Sequence, residues 1–285
     1  VRVDPMIKRV HFLLALALVA GCGKQPPAAA LNDAPERIIS LAPDITETVY
    51  ALGLGDQLVG ATTWCVYPAA AKTVPRVGGF GQYNFEAIVS LRPDLVLLHH
   101  KYDAEKTRLD GLGIPYLETR TEHIADIIDS IVAIGEACGA ADAAQTLNKN
   151  INERMLSAMN ATGITERVLV TFGGDAADLD QIHAFGADCL HNELLELAGG
   201  RNVIENRLAF STLSKEAIIR LNPDVIIQLA PGTTAPADPL AAWRELPSVN
   251  AVKNHRVHVL VGDHTCIPGP RFIQTLDDFV DILQP

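Results

Sequence analysis

Aromatic side chains make up only 5% of the 285 residues, so those that fall in loops are the first candidates for chemistry. Trp64 follows the β-rich run at Val59, Phe80 stands among glycines in Gly78-Gly79-Phe80-Gly81-Gln82, and Phe210 precedes a helical pattern. Flat apolar rings with few polar neighbours suit a large planar ligand, although each ring alone fits ordinary packing between loops equally well. His99 ends the apolar run from Asp94 to Leu98, and His264 lies in Gly262–Pro268 after the run Val257 to Val261. An imidazole in either place can meet a metal-centred ligand. A bare zinc or manganese site would draw on His99, His100, His123 and His264, but no HxxH or HExxH spacing supports it, and no resident metal is expected. There is no GxSxG elbow, P-loop or pair of catalytic carboxylates, and Gly53, Gly55 and Gly60 lack dinucleotide spacing. No catalytic residue is assigned, and a binding protein is expected rather than an enzyme.

The elements that must hold these residues alternate between short β-rich runs and helical patterns, which predicts α/β units with mainly parallel sheets. Arg37-Ile38-Ile39-Ser40-Leu41 reads as a first strand, followed by a helix opened by Pro43 and closed by Gly53. From Glu122 the spacing of Ile124, Ile127, Ile128, Ile131, Val132 and Ile134 predicts an amphipathic helix. Helical spacing resumes after Gly139 through Leu147, Ile151, Met155 and Met159. One segment then recurs. Asn84–Leu98, NFEAIVSLRPDLVLL, matches Ser214–Gln228, SKEAIIRLNPDVIIQ, with Glu, Ala, Ile, Leu, Pro and Asp identical in place. Two similar lobes, residues 36–121 and 164–285, joined by a helical segment 122–163, account for this repeat. It also sets Glu86 and Glu216 at equivalent positions near helix starts, where an acid complements the macrodipole in any case.

Lys and Arg total 23 against 34 Asp and Glu, giving a formal charge of -11, which repels phosphate backbones and argues against a nucleic-acid partner. Lys8 and Arg9 precede the apolar run Val10 to Ala20, then small residues and Cys22, the pattern of an export signal over residues 1–21. Met6-Ile7-Lys8-Arg9 is already a complete n-region; a short buried helix is the alternative. Val19-Ala20-Gly21-Cys22 is similar to a bacterial lipobox, which implies a lipid on Cys22 and a flexible tether over residues 22–35. No later stretch reaches the roughly 20 apolar residues that span a bilayer, so membrane attachment is expected through the lipid alone. Cys65, Cys138, Cys189 and Cys266 permit three disulfide pairings or free thiols, and their spacing does not choose.

The chain resembles the substrate-binding components of ABC importers for cobalamin, ferric siderophores and haem. RIISLAPDITETVYALGLGDQLVG, the Tyr67-Pro68 corner, VGGFGQYNFEAIVSLRPDLVLL, Gly199-Gly200-Arg201-Asn202 and Pro270-Arg271 carry the resemblance across nearly the whole chain after the export signal. It implies two Rossmann-like lobes joined by a long backbone helix, the class III periplasmic-binding-protein fold, with ligand between the lobes. It also implies an exported, lipid-anchored monomer, on an inner membrane or a Gram-positive surface, serving an ABC permease dimer with its ATPase subunits. In the cobalamin binders, aromatic residues matching Trp64, Phe80 and Phe210 contact the corrin, and Tyr83 joins that set. Asp263 matches a polar position facing ligand amides, while His99 and His264 stand where those proteins carry aromatics. The resemblance further implies that Glu86 and Glu216 meet permease arginines. Arg271 is read either as a ligand contact or as a structural residue opening the terminal helix. The expected cargo is cobalamin or another corrinoid, with a ferric siderophore or haem as the alternative.

Overall fold

The computed structural model describes residues 34–161, 166–173, 179, 181–232 and 234–284. The export signal 1–21, Cys22 and nearly all of the tether 22–35 lie outside the described residues.

Alternation along the strands decides where the core sits. In β1 (Ile38–Ser40), Ile38 enters one buried layer and Ile39 another; in β5 (Leu95–His99), Leu95 and Leu97 join the first layer, Val96 and Leu98 the second. Such strands read as continuous apolar runs because both faces are covered. With β2 (Leu58–Ala61) and β6 (Tyr116–Thr119) they form an all-parallel sheet in the order β2-β1-β5-β6. A short hairpin, β3 (Gly78–Gly79) with β4 (Gln82–Tyr83), stands apart from it.

The second sheet repeats the scheme with an addition. β7 (Glu166–Phe172), β11 (Val225–Ala230) and β12 (Val257–Val261) are parallel, and β9 (Gly200–Asn202) pairs parallel to β7. β8 (Ile182–Phe185) and β10 (Phe210–Leu213) extend the same sheet antiparallel, β8 to β7 and β10 to β8, a departure from a wholly parallel pattern.

Pro43 opens α1 (Pro43–Ala51), and Gly53 follows it at φ 77°, as the sequence predicts. α2 (Phe85–Ser90), α3 (Asp103–Leu112), α4 (Ile124–Ala137) and α5 (Ala141–Ala161) come next. The second lobe adds α6 (Leu190–Leu197), α7 (Lys215–Leu221), α8 (Asn250–Lys253) and α9 (Phe272–Leu283). Gly139, at φ 71°, breaks the helical segment between the lobes into α4 and α5, since a side chain there would be strained in the left-handed region. α4 buries Ile127, Ile131 and Ile134 against β6 and α1, whereas Val132, expected on that stripe, faces outward. The long bridging element is α5, 21 residues or about 30 Å. It packs on α4 on one side and on α6 and α9 on the other. One apolar core therefore runs from Ile38 and Leu97 in the first sheet through Ile151 and Met155 to Val170, Ile227 and Phe272 in the second lobe. Among the described residues, no helix is long and apolar enough to cross a membrane.

The repeat is matched atom for atom. Asn84 and Ser214 cap α2 and α7 by accepting from Ala87 N and Ala217 N. Arg92 and Asn222 both take left-handed backbone ahead of a proline. Asp94 N donates to Arg37 O and Asp224 N to Arg167 O, while the Arg37 and Arg167 guanidinium groups donate to Leu91 O and Leu221 O at the helix ends.

Candidate functional site

The carboxyl ends of parallel strands, where open α/β sheets bind ligands, carry Trp64 after β2, His99 at the end of β5 and Asp263 and His264 after β12, while Phe80 and Tyr83 lie on the β3–β4 hairpin and Phe210 opens β10. In the first lobe β1 leads into Pro43 and places Asp44, buried, in the first turn of α1. His99, the last residue of β5, donates from Nε2 to Asp44 Oδ1 at 3.1 Å, and its Nδ1 lies 3.3 Å from Thr119 Oγ1. Burial disfavours charge on this ring, yet the Asp44 carboxylate, by charge and hydrogen bond, holds its pKa above the usual imidazole value. The Tyr102 ring meets His99 edge-on at 5.5 Å and links it to Tyr83 at 5.8 Å and Phe80 at 6.1 Å. Phe80, on the turn between β3 and β4, is 76% exposed, and Trp64 beside that hairpin is 66% exposed.

In the second lobe Phe210 opens the edge strand β10, 58% exposed, and packs on Phe185 at 5.1 Å, which also touches exposed Phe172 at the end of β7. Phe185 lies 3.9 Å from the buried His191 ring, whose Nε2 donates to Thr265 O at 2.7 Å. Burial drives the His191 pKa down to about 4, so the ring is neutral at physiological pH. This chain ties the Phe210 wall to the turn Asp263–Thr265. Asp263 is close enough to act electrostatically on Glu47 and Arg271. His264 instead turns to α9, donating from Nε2 to Asp278 Oδ2 at 3.0 Å.

The lobes meet between α1 and the start of α9. Arg271 donates from Nε to Glu47 Oε2 at 2.9 Å and from Nη2 to Oε1, a bidentate pair reaching from the start of α9 to α1. Burial raises the Glu47 pKa even against that pairing. The same guanidinium lies over the Tyr67 ring at 3.7 Å. Gly269 permits the approach, since a Cβ there would sit 3.1 Å from Asp44 Cα and Glu47 Oε2. Arg271 thus has a structural role as a joint between α1 and α9. A second joint lies at α4, where Glu193 of α6 accepts from Ile124 N at 2.8 Å and His123 Nδ1 at 3.0 Å.

The four histidines considered for a metal are paired separately, His99 with Asp44, His100 with Glu122, His123 with Glu193 and His264 with Asp278. Among the described residues no three His, Cys, Asp or Glu side chains converge on a common point. Cys65, Cys138, Cys189 and Cys266 are free thiols, with burial pushing the Cys138 pKa up to about 11. Glu86 and Glu216 are both exposed, one residue inside their helices. Sequence reading missed Tyr67 and Phe172 as exposed aromatics, though Phe172 ends a strand and Tyr67 sits in a quoted motif. Tyr102, the hub of the first-lobe cluster, left no signal, and Asp44 and Glu47 looked like ordinary first-turn and helix acids.

The model of the periplasmic binding protein family matches residues 38–263. A Bacillus subtilis protein named as an uncharacterized ABC transporter substrate-binding lipoprotein, YvrC, is 31% identical over 96% of this chain and 95% of its own. The vitamin B12-binding protein of Yersinia pestis is 30% identical over 74% of each chain. A crystal structure described as a possible iron-binding, periplasmic solute-binding protein from Staphylococcus epidermidis superposes with a TM-score of 0.76, at 26% identity, covering 89% of this chain and 100% of that one. The chain belongs to the periplasmic binding protein family and is a substrate-binding protein of an ABC transporter.

Proposed function

We propose that the cleft captures a corrinoid such as cobalamin and delivers it to an ABC permease dimer with its ATPase subunits, the protein acting as a monomer held to a membrane by lipid on Cys22. The observation that carries the ligand assignment is the exposure of aromatic rings on both lobes, Trp64, Tyr67 and Phe80 on the first and Phe172 and Phe210 on the second. Apolar walls suit the faces of a broad macrocycle, and the Asp263 carboxylate suits an amide N–H group at its edge. The vitamin B12-binding name of the Yersinia relative supports this reading. The iron-binding description of the Staphylococcus structure favours a ferric siderophore as the second reading. An anionic siderophore, however, would face the Asp263 carboxylate without a free cation beside it, since Arg271 is paired with Glu47. Glu86 and Glu216, one on each lobe, are assigned to docking on the permease.

Trp64 offers the test, because Trp243 is fully buried and Trp64 is largely exposed. Cyanocobalamin is expected to quench the exposed component of tryptophan emission saturably, and Trp64→Phe to remove that response while leaving the buried component. Emission unchanged by excess cyanocobalamin overturns the assignment.

A further inference from the structure

We propose that each docking acid works with an aliphatic contact one turn further along its helix, Val89 beside Glu86 and Ile219 beside Glu216, so that the permease dimer receives two matched acid-plus-apolar patches. The proposal rests on the docking role assigned to the two acids and adds the residues that supply the apolar part of the contact.

Spacing of i and i+3 puts the acid and the aliphatic side chain on one helix face. Val89 is 44% exposed and Ile219 43%, whereas their neighbours Ile88 and Ile218 are fully buried. Each short helix thus buries its isoleucine, with Phe85 beside Ile88 on the first, and offers the next aliphatic outward. A single exposed aliphatic is common on any soluble protein. Here the same exposure recurs at equivalent positions of the repeat, on scaffolds matched by their N-caps Asn84 and Ser214, their left-handed Arg92 and Asn222 and their helix-end arginines Arg37 and Arg167. A partner that fits must present one kind of socket twice, apolar with a basic rim. A dimer of identical permease subunits does so, one socket for each lobe. The carboxylates then orient the encounter and the aliphatic side chains add the part of the affinity that salt does not screen.

The test measures binding of the full-length protein to its permease–ATPase complex in lipid nanodiscs, at low and at high ionic strength, with ligand affinity and thermal midpoint as controls. Val89→Ser with Ile219→Ser is expected to weaken docking about tenfold at both ionic strengths, with ligand affinity unchanged. Glu86→Gln with Glu216→Gln is expected to weaken docking strongly at low ionic strength and less at high. Wild-type docking by the Val89→Ser, Ile219→Ser protein, together with a loss in the glutamine variant, overturns the aliphatic contacts and leaves the docking acids standing. Wild-type docking by both variants removes the docking reading itself.

Discussion

Burial decides the charge of His191, and this has a measurable consequence for stability. Its folded-state pKa of about 4 lies below the ordinary imidazole value, so between those two values the unfolded chain binds the extra proton. The contribution is complete above the unfolded value and is lost as pH falls towards 4, on the order of 3 kcal/mol in all. Urea unfolding from pH 7 down to about 4.5 should show this loss, and His191→Leu should flatten the slope. Parallel pH dependences for the two proteins would contradict it. His99 has the opposite sign, because its raised pKa stabilises the fold at low pH and that gain fades as pH rises past the ordinary imidazole value. The sequence marked His99 and His264 as residues beside a ligand, and their positions at strand ends are as read. It carried no trace of Asp44 or Asp278, the partners that take up their ring nitrogens, because those partners come from other elements.

At the scale of elements, the joint between α1 and the start of α9 holds the two lobes in register. Glu47 is 4% exposed, so removing its partner leaves a charge in the interior. Arg271→Ala should cost about 3–5 kcal/mol in urea unfolding. Arg271→Met with Glu47→Leu should recover most of that, since apolar replacement of a buried pair is close to neutral. A double variant as unstable as Arg271→Ala alone would show that the pair is not the joint described. Most strands of the two parallel ladders, the Pro43 and Gly53 limits of α1 and the repeat were legible, because alternation, capping chemistry and turn residues are local, whereas β9 (Gly200–Asn202) reads as a turn and is instead a strand parallel to β7. The antiparallel β8 and β10 were not legible, since strand direction depends on which neighbour a strand finds. Val132 was placed on the wrong face of α4 because the helix turns it just past the edge of the buried stripe, a difference of about 100° per residue. The ion-pair joint went unread for a similar reason: Glu47 and Arg271 stand at opposite ends of the chain, and their link exists only once α9 has folded back onto α1.

Across the whole molecule, a continuous core passes from the first sheet through α5 into the second lobe, and two polar joints, Arg271–Glu47 and Glu193 on α4, add to it. Opening the lobes widely would expose that core and break both joints, so only a small closure is expected of a receptor built this way. Such stiffness would suit a receptor read by a permease, because the two proposed docking patches would keep their separation with and without ligand. A lipid on Cys22 would hold that receptor beside the permease at high local concentration. The central claim is the identity of the cargo, and the direct measurement is calorimetric titration of the purified protein with cyanocobalamin, haem and a ferric siderophore in parallel. The account predicts saturable binding of cyanocobalamin, micromolar or tighter, with the ferric siderophore weaker or absent. Tight binding of the siderophore with none of the corrinoid would contradict it.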